Sequence, residues 1–263
     1  MFEIFPLTIP APIRAFLGDD PALTAYALGD LDPDLWPDSE FIGAFHADEL
    51  VAVMLLYHGL HPTIITAFGE ADGVRAIFEA ASLPEEMYCL LPEQFGDLIT
   101  DYYALHDPHH EWRMVLDPGQ FATPDLSVTK RIEPDQAGIL AALYQQATGP
   151  GEAIAAFSPA QIAQGRFYGV WIGDDLVATA GTHIWSPAES VVAIGNVFTR
   201  PDQRGQGYAT VCTAAVVRDA LDTAIKTVVL NVRQDNAPAI HVYEKLGFRR
   251  YHSFVEGPGL IRA

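Results

Sequence analysis

Seven consecutive residues, Arg204, Gly205, Gln206, Gly207, Tyr208, Ala209 and Thr210, have the types and spacing to hold a pyrophosphate. They follow an apolar, β-prone run at 191–198 and open a small-residue helical run at 211–221. Glycines at 205 and 207 let the backbone turn sharply and approach a ligand closely. The N–H groups of a first helical turn have no intrahelical acceptor. The helix dipole favours negative charge at the same end. A strand, a glycine turn with one arginine and a helix start therefore make an anion cradle. It is not a Walker loop, since no Gly-Lys-Ser/Thr follows, and Gly-x-Gly-x-x-Gly is not present. Taken alone, the loop also reads as a tight turn with no ligand.

A second segment favours the cradle. After a buried-type strand at 227–232, the chain runs Asn236-Ala237-Pro238-Ala239-Ile240-His241-Val242-Tyr243-Glu244-Lys245-Leu246-Gly247-Phe248. Asn236 can cap a helix whose first turn tolerates Pro238. Ala239, Val242, Tyr243 and Leu246 share one face. Gly247 suits a left-handed C-terminal cap. The pair "R-G-x-G-x-A" and "N-x-x-A-x-x-x-Y-E-K-L-G-F", about thirty residues apart, resembles the GCN5-related N-acetyltransferases (GNAT). The resemblance runs from about residue 126 to the C-terminus. The wording "VFTRPDQRGQGYAT…NAPAIHVYEKLGF" looks most like the glycine-N-acyltransferase-like branch.

The resemblance implies an acyl-CoA-dependent N-acyltransferase, most simply one using acetyl-CoA. Main-chain N–H groups of Gly205, Gln206, Gly207, Tyr208, Ala209 and Thr210 would take the coenzyme A pyrophosphate, with Arg204 beside its charge. Val197, Phe198 and Thr199 match the strand segment that splays from its neighbour and binds the pantetheine arm. The Phe198 N–H is the expected oxyanion donor. Tyr243 matches the tyrosine that protonates the departing thiolate, although its place on the apolar face also suits a core aromatic. Asn236 matches a cofactor-holding residue and can cap as well. No acid stands where the base is often found: the fifth strand has Asn231 and the strand before the cradle has Asn196. His183 and Glu152 remain as base candidates, each also explicable as structural. Residues 148–168 would line the acceptor pocket, with Phe157, Phe167, Tyr168, Trp171 and Trp185 as an apolar component or as core.

The net charge is −19, and it is lopsided. Residues 1–125 carry 22 acidic and 3 basic side chains, whereas 126–263 carry 12 of each. That argues against nucleic acid or an anionic membrane as partner. It suits an amine acceptor, or simple solubility. The acceptor is expected to be a primary amine of a small molecule or peptide. No apolar run is long enough to span a bilayer and no signal pattern opens the chain, so a cytoplasmic setting is expected. Cys89 and Cys212 read as free buried thiols. No metal is expected: the nine histidines show no ligand spacing, and His109-His110 reads as solvated. The oligomeric state is not legible.

The expected fold class is α/β (α+β), two tandem GNAT-like domains, each a mixed, mostly antiparallel central sheet flanked by helices. The second half reads strand 126–132, helix 134–147, a break at Gly149-Pro150-Gly151, helix 152–164, and strands 167–172, 176–184 and 191–198. The cradle, a helix, strand 227–232, a helix, strand 249–255 and a short extended piece at 260–261 follow. The first half repeats this order: helix 22–28, strands 40–46, 50–58 and 63–68, helix 73–81, strand 87–91, helix 94–104 and strand 111–116. Where the second half has its cradle, this half reads Gly69-Glu70-Ala71-Asp72-Gly73, whose acids would repel a pyrophosphate. The boundaries are 1–118 for a degenerate copy without cofactor, 119–125 for the linker and 126–263 for the catalytic domain. A coenzyme-A-binding regulatory module without turnover and an aminoacyl-type transferase are the alternative functions.

Overall fold

The computed structural model describes residues 1–147 and 157–262. The chain forms two compact units that interleave: Met1–Arg113 with Arg233–Asp235 and Tyr251–Ala263, and Met114–Val232 with Asn236–Arg250. The sequence reading instead draws a single cut through the linker at 119–125.

The first unit opens with β1 (Glu3–Leu7), α1 (Pro10–Leu17) and α2 (Pro21–Gly29). A meander follows: β2 (Ser39–His46), β3 (Glu49–Tyr57) and β4 (Thr63–Gly69). Then come α3 (Ala71–Ala80), β5 (Glu86–Pro92), α4 (Gly96–Tyr102), β6 (Tyr103–Leu105) and the start of β7 (His109–Leu116). The β2–β3 turn sits on Ala47 and Asp48, both at positive φ, as a two-residue hairpin requires. Strands β1 to β4 pair antiparallel, and β4 pairs parallel with β5. The core packs α3 and α4 on this sheet through Met54, Ile65, Val74, Ile77, Met87 and Ile99.

Two elements here exceed the sequence reading. Strand β1 and helix α1 carry Pro6, Pro10 and Pro12 and have no counterpart in the sequence reading. Yet β1 lies at the sheet edge, where proline is tolerated. Pro10 and Pro12 fall in the first turn of α1, whose N–H groups have no partners to lose. The aspartates between α2 and β2 differ in exposure: Asp34 and Asp38 are exposed, but Asp30 is buried. Burial pushes its carboxyl well above the usual range.

The second unit runs β8 (Thr129–Arg131), α5 (Ala137–Tyr144), α6 (Ala160–Gln164), β9 (Tyr168–Ile172), β10 (Asp175–Ser186), β11 (Val191–Thr199), α7 (Tyr208–Leu221), β12 (Thr227–Arg233) and α8 (Ala237–Lys245). Its strand order is β12-β11-β10-β9-β8. Only β11 and β12 are parallel. Strand β8 is shorter than expected because Asp125 binds the Ser127 N–H and Thr129 closes a turn on Leu126. The helix expected at 134–147 is α only from Ala137, after a turn capped reciprocally by Glu133 and Gln136. Of the helix expected at 152–164, residues 157–164 lie among the described ones, and only Ala160–Gln164 of these is helical; Gly149-Pro150-Gly151 lies outside them.

The last strand, β13 (Phe248–Ile261), is one continuous element, where the sequence reading has two separated by Gly257, Pro258 and Gly259. Its residues Phe254–Leu260 pair antiparallel with β5. A Cβ at position 259 would come within 2.7 Å of Met87 Cε, so the glycine fits a close approach and does not break the strand. Each unit thus shows the same succession: an antiparallel meander, a helix, and then a strand parallel to the one before the helix. Both cysteines are free and buried, and burial pushes each thiol up to about 12. Among the described residues no helix is long and apolar enough to cross a membrane.

Candidate active site

The cradle lies between β11 and α7. Gly205 and Gly207 sit at φ +79° and +81°, a region that L-residues enter at a cost of about 1–2 kcal/mol. A Cβ at either would meet no heavy atom within 4 Å, so the loop is open where the glycines stand. Residues 204–207 are exposed and 208–210 half-buried. Helix α7 starts at Gly207 with no side-chain cap. The first bond closing its turn runs from the Val211 N–H to Gly207 O at 3.2 Å. The N–H groups of Tyr208, Ala209 and Thr210 precede that bond, so the helix end is a donor cluster of the kind an anion completes. Arg204 does not hang free: its Nε donates to Thr199 O at 3.2 Å, bracing the loop on the end of β11. Arg200 and Asp202 pair at 2.6 Å in the same loop.

The equivalent connection in the first unit is closed. Glu70 alone separates β4 from α3, and its N–H donates to Val51 O at 2.9 Å. A Cβ on Gly69 would lie 2.2 Å from that same oxygen. The helix therefore packs straight onto the sheet, with no arch between strand and helix.

Strand β11 parts from β12 midway. Their parallel ladder runs from Val191↔Thr227 to Ile194↔Leu230 and no further. Gly195–Thr199 and Asn231–Arg233 then diverge without pairing one another. Val197, Phe198 and Thr199, expected at this opening, lie on the diverging part of β11. Against β10 the ladder is irregular twice, between Thr182 and Ile184 and between Thr179 and Gly181. The first irregularity places His183 as an extra residue of β10. The second makes 196–197 bulge from β11, with Asn196 at φ +53°. Bulges re-aim side chains and peptide planes.

Four side chains meet at that bulge. Tyr144 from α5 donates its hydroxyl to Asn196 O at 2.9 Å. His183 Nε2 lies 3.2 Å from Asn196 Oδ1, and Asn196 Nδ2 donates to Gln161 Oε1 at 3.3 Å. Burial holds His183 below its ordinary value of 6.5, so the ring is neutral at pH 7. Gly195 makes room for that ring: a Cβ there would come within 2.4 Å of His183 Nε2. Aromatic rings back the bulge, with Tyr144 and Phe157 at 5.1 Å, Tyr144 and Phe198 at 6.3 Å, and Phe157 and Phe167 at 6.3 Å between centroids. The Phe198 side chain is buried in this cluster, so any role it plays toward a ligand belongs to its backbone.

On α8, Asn236 Oδ1 accepts the Ala239 N–H at 3.2 Å, which makes it the helix cap. Gly247 follows the helix at φ +95°. Tyr243 is buried, edge-on to Phe248 at 6.1 Å. Glu152 lies outside the described residues. Trp185 stacks under Arg166 at 4.5 Å, and Trp171 joins the core around Leu140 and Phe167. Sequence reasoning missed Gln161 and Tyr144, and read Asn196 only as the lack of an acid.

The first unit holds one side-chain group that the sequence reading did not assemble. Atoms of His109, Glu111 and Glu256 lie within 4.8 Å of one another. His109 stands 3.3 Å from Glu111 and is not the solvated residue expected. The buried Arg113 guanidinium, between the Tyr26 and Phe254 rings, offsets the charge of this carboxylate pair.

Residues 138–248 match the model of the Acetyltransferase (GNAT) family. The matched segment falls almost wholly within the second unit. A mycothiol acetyltransferase of Rhodococcus opacus is 42% identical over 65 residues, 25% of this chain and 20% of that protein. One from Streptomyces scabiei is 32% identical over 90 residues, 33% of this chain and 28% of that protein. The chain thus matches under a third of the length of these relatives. Two solved structures cover 98% of this chain and 98% of their own at 14% identity. They are a Drosophila protein with a TM-score of 0.76 and a tandem GNAT protein from the clavulanic acid biosynthesis pathway with a TM-score of 0.59. At that identity they speak for the two-unit fold. The glycine-N-acyltransferase-like branch finds no support in these matches.

Proposed function

We propose that the second unit transfers an acyl group, most simply acetyl, from a coenzyme A thioester to a primary amine of a small molecule or peptide. The observation that carries this reading is the uncapped start of α7, set in an open glycine loop beside the parting strands. Coenzyme A, when bound, supplies the acyl thioester and a pyrophosphate for the cradle. The N–H groups of residues 205–210 hold the anion, Arg204 adds charge, and Asn236 stands at the α8 end. Backbone N–H groups in the stretch Val197–Thr199, that of Phe198 foremost, polarise the thioester carbonyl as fixed oxyanion donors. In the transfer the amine nitrogen bonds to the carbonyl carbon and loses a proton, and the departing sulfur gains one. His183, neutral at pH 7, is the proton acceptor in this scheme, and the Tyr243 hydroxyl is the donor.

The acidic residues of the first unit suit a cationic amine, and no metal is required. The chemistry is that of a cytoplasmic enzyme. Release of free thiol from acetyl-CoA should be followed against amines, amino acids, aminoglycosides and, given the relatives' name, substrates of mycothiol acetylation. Amine-dependent release supports the reading. Binding without turnover on every acceptor would replace it with a regulatory module, and absence of acetyl-CoA binding would remove it altogether.

A further inference from the structure

The hydrogen bonds at the β11 bulge have a polarity that can be followed from one end. The Ser158 backbone N–H lies 3.0 Å from Gln161 Oε1. A backbone N–H only donates, so the Gln161 atom facing it must be the oxygen. The same oxygen faces Asn196 at 3.3 Å. Asn196 must therefore turn its NH₂ toward Gln161, which turns its Oδ1 toward His183 Nε2 at 3.2 Å. An amide oxygen only accepts, so His183 Nε2 carries the proton. In a neutral ring Nδ1 is then the basic atom.

Three further features hold this arrangement in place. Asn196 sits at φ +53° in the bulge, its carbonyl is tied to the Tyr144 hydroxyl at 2.9 Å, and the His183 ring lies against Gly195 with no room for a Cβ. Neither Asn196 nor the ring can turn over without breaking a bond or meeting backbone.

We propose that Gln161 and Asn196 are positioning residues that hold His183 in a single neutral tautomer, Nε2 protonated and Nδ1 the proton-accepting atom. The order originates in the Ser158 amide and passes through two side-chain amides. A carboxylate at position 196 would instead attract a second proton to the ring, so an asparagine there keeps the histidine a base and not an imidazolium. The tautomer itself does not depend on the function. Its catalytic consequence rests on the acyl-transfer reading given above.

The test is a long-range ¹H–¹⁵N spectrum of the full chain labelled in its histidine rings, with His183→Gln used to assign the signal. At neutral pH the wild type should show a pyrrole-type Nε2 and a pyridine-type Nδ1. Gln161→Leu removes the acceptor and should give an averaged pattern. Gln161→Glu keeps an acceptor facing both N–H groups and should restore the wild-type pattern. A protonated Nδ1 or an averaged ring in the wild type overturns the proposal, as does an unchanged ring in Gln161→Leu. Should the leucine variant not fold, the wild-type spectrum decides alone. In turnover, Gln161→Leu should lower kcat by less than the ~100-fold of a lost general base, leave the KM for acetyl-CoA unchanged, and be rescued by glutamate. Unchanged kcat with the tautomer confirmed would count against His183 as the base and leave its positioning intact.

Discussion

Gly207 and Gly69 both stand at the passage from a strand to a helix, and replacing them should have opposite consequences. At Gly207 a new Cβ meets open space, so the fold feels only the left-handed backbone, about 1–2 kcal/mol. A glutamate there adds a carboxylate to an uncapped helix start, which returns about 0.3–1 kcal/mol. The net loss of stability for Gly207→Glu is at most about 2 kcal/mol, a few degrees in Tm at roughly 2–4 °C per kcal/mol. Ligand binding should suffer far more. The carboxylate occupies the place of the pyrophosphate and repels it. Charge-assisted bonds from N–H groups contribute about 1.5–3 kcal/mol each. Loss of two of them weakens binding by ~100-fold or more. At Gly69 the new Cβ would lie 2.2 Å from Val51 O and 2.7 Å from Ala52 Cα, backbone atoms that cannot yield. Gly69→Ala should therefore destabilise the first unit while leaving coenzyme A affinity intact. Calorimetric titration of coenzyme A into wild type and both variants, with thermal melts alongside, reads all of this. One site per chain is expected. Two sites, or binding within tenfold of wild type in Gly207→Glu, would refute the assignment of the cofactor to this cradle.

Three other outcomes follow from the same geometry. Tyr243→Phe keeps the ring packed against Phe248 and removes the hydroxyl, so kcat should fall by ~100-fold or more with acetyl-CoA affinity unchanged; unaltered turnover in steady-state kinetics would make Tyr243 a core residue. Gly195→Ala should destabilise by about 1–3 kcal/mol through overpacking, and much less when combined with His183→Ala, because the ring that the new Cβ would strike is gone; additive losses in urea denaturation would show that the ring is not the obstacle. His183 titrates below 6.5 in the fold because burial disfavours its charged form, so below that pH the unfolded chain binds more protons and stability falls as pH falls; thermal melts from about pH 7.5 to pH 5.5 should lose less in His183→Gln than in wild type, and equal slopes would contradict a buried neutral ring.

The cradle was legible in the sequence because its physics is local. Two glycines within three residues, an arginine before them and small residues after them describe a turn and a helix start without reference to the rest of the chain. The same holds for α8, where Asn236, Pro238 and Gly247 mark both ends. The bulge was not legible in this way. His183, Asn196 and Gln161 come from three elements, and the strand register that turns them toward one another is decided by pairing, not by any one strand's pattern. The exchanged end of the chain, Tyr251–Ala263, was missed for a related reason. Gly257, Pro258 and Gly259 carry the local signature of a break, and only the approach of Met87 and Leu105 shows why a glycine suits a strand at that point. One local signal for the bulge did exist. Gly195-Asn196 interrupts an otherwise apolar strand, and a Gly-Asn pair inside a strand pattern marks a bulge or a close backbone approach. Here it marks both: the glycine admits the histidine ring, and the asparagine takes the left-handed turn that such residues tolerate. Without an acid at 196, the asparagine first reads as the lack of a base. Within the fold, it orients the neighbouring ring that can serve as one.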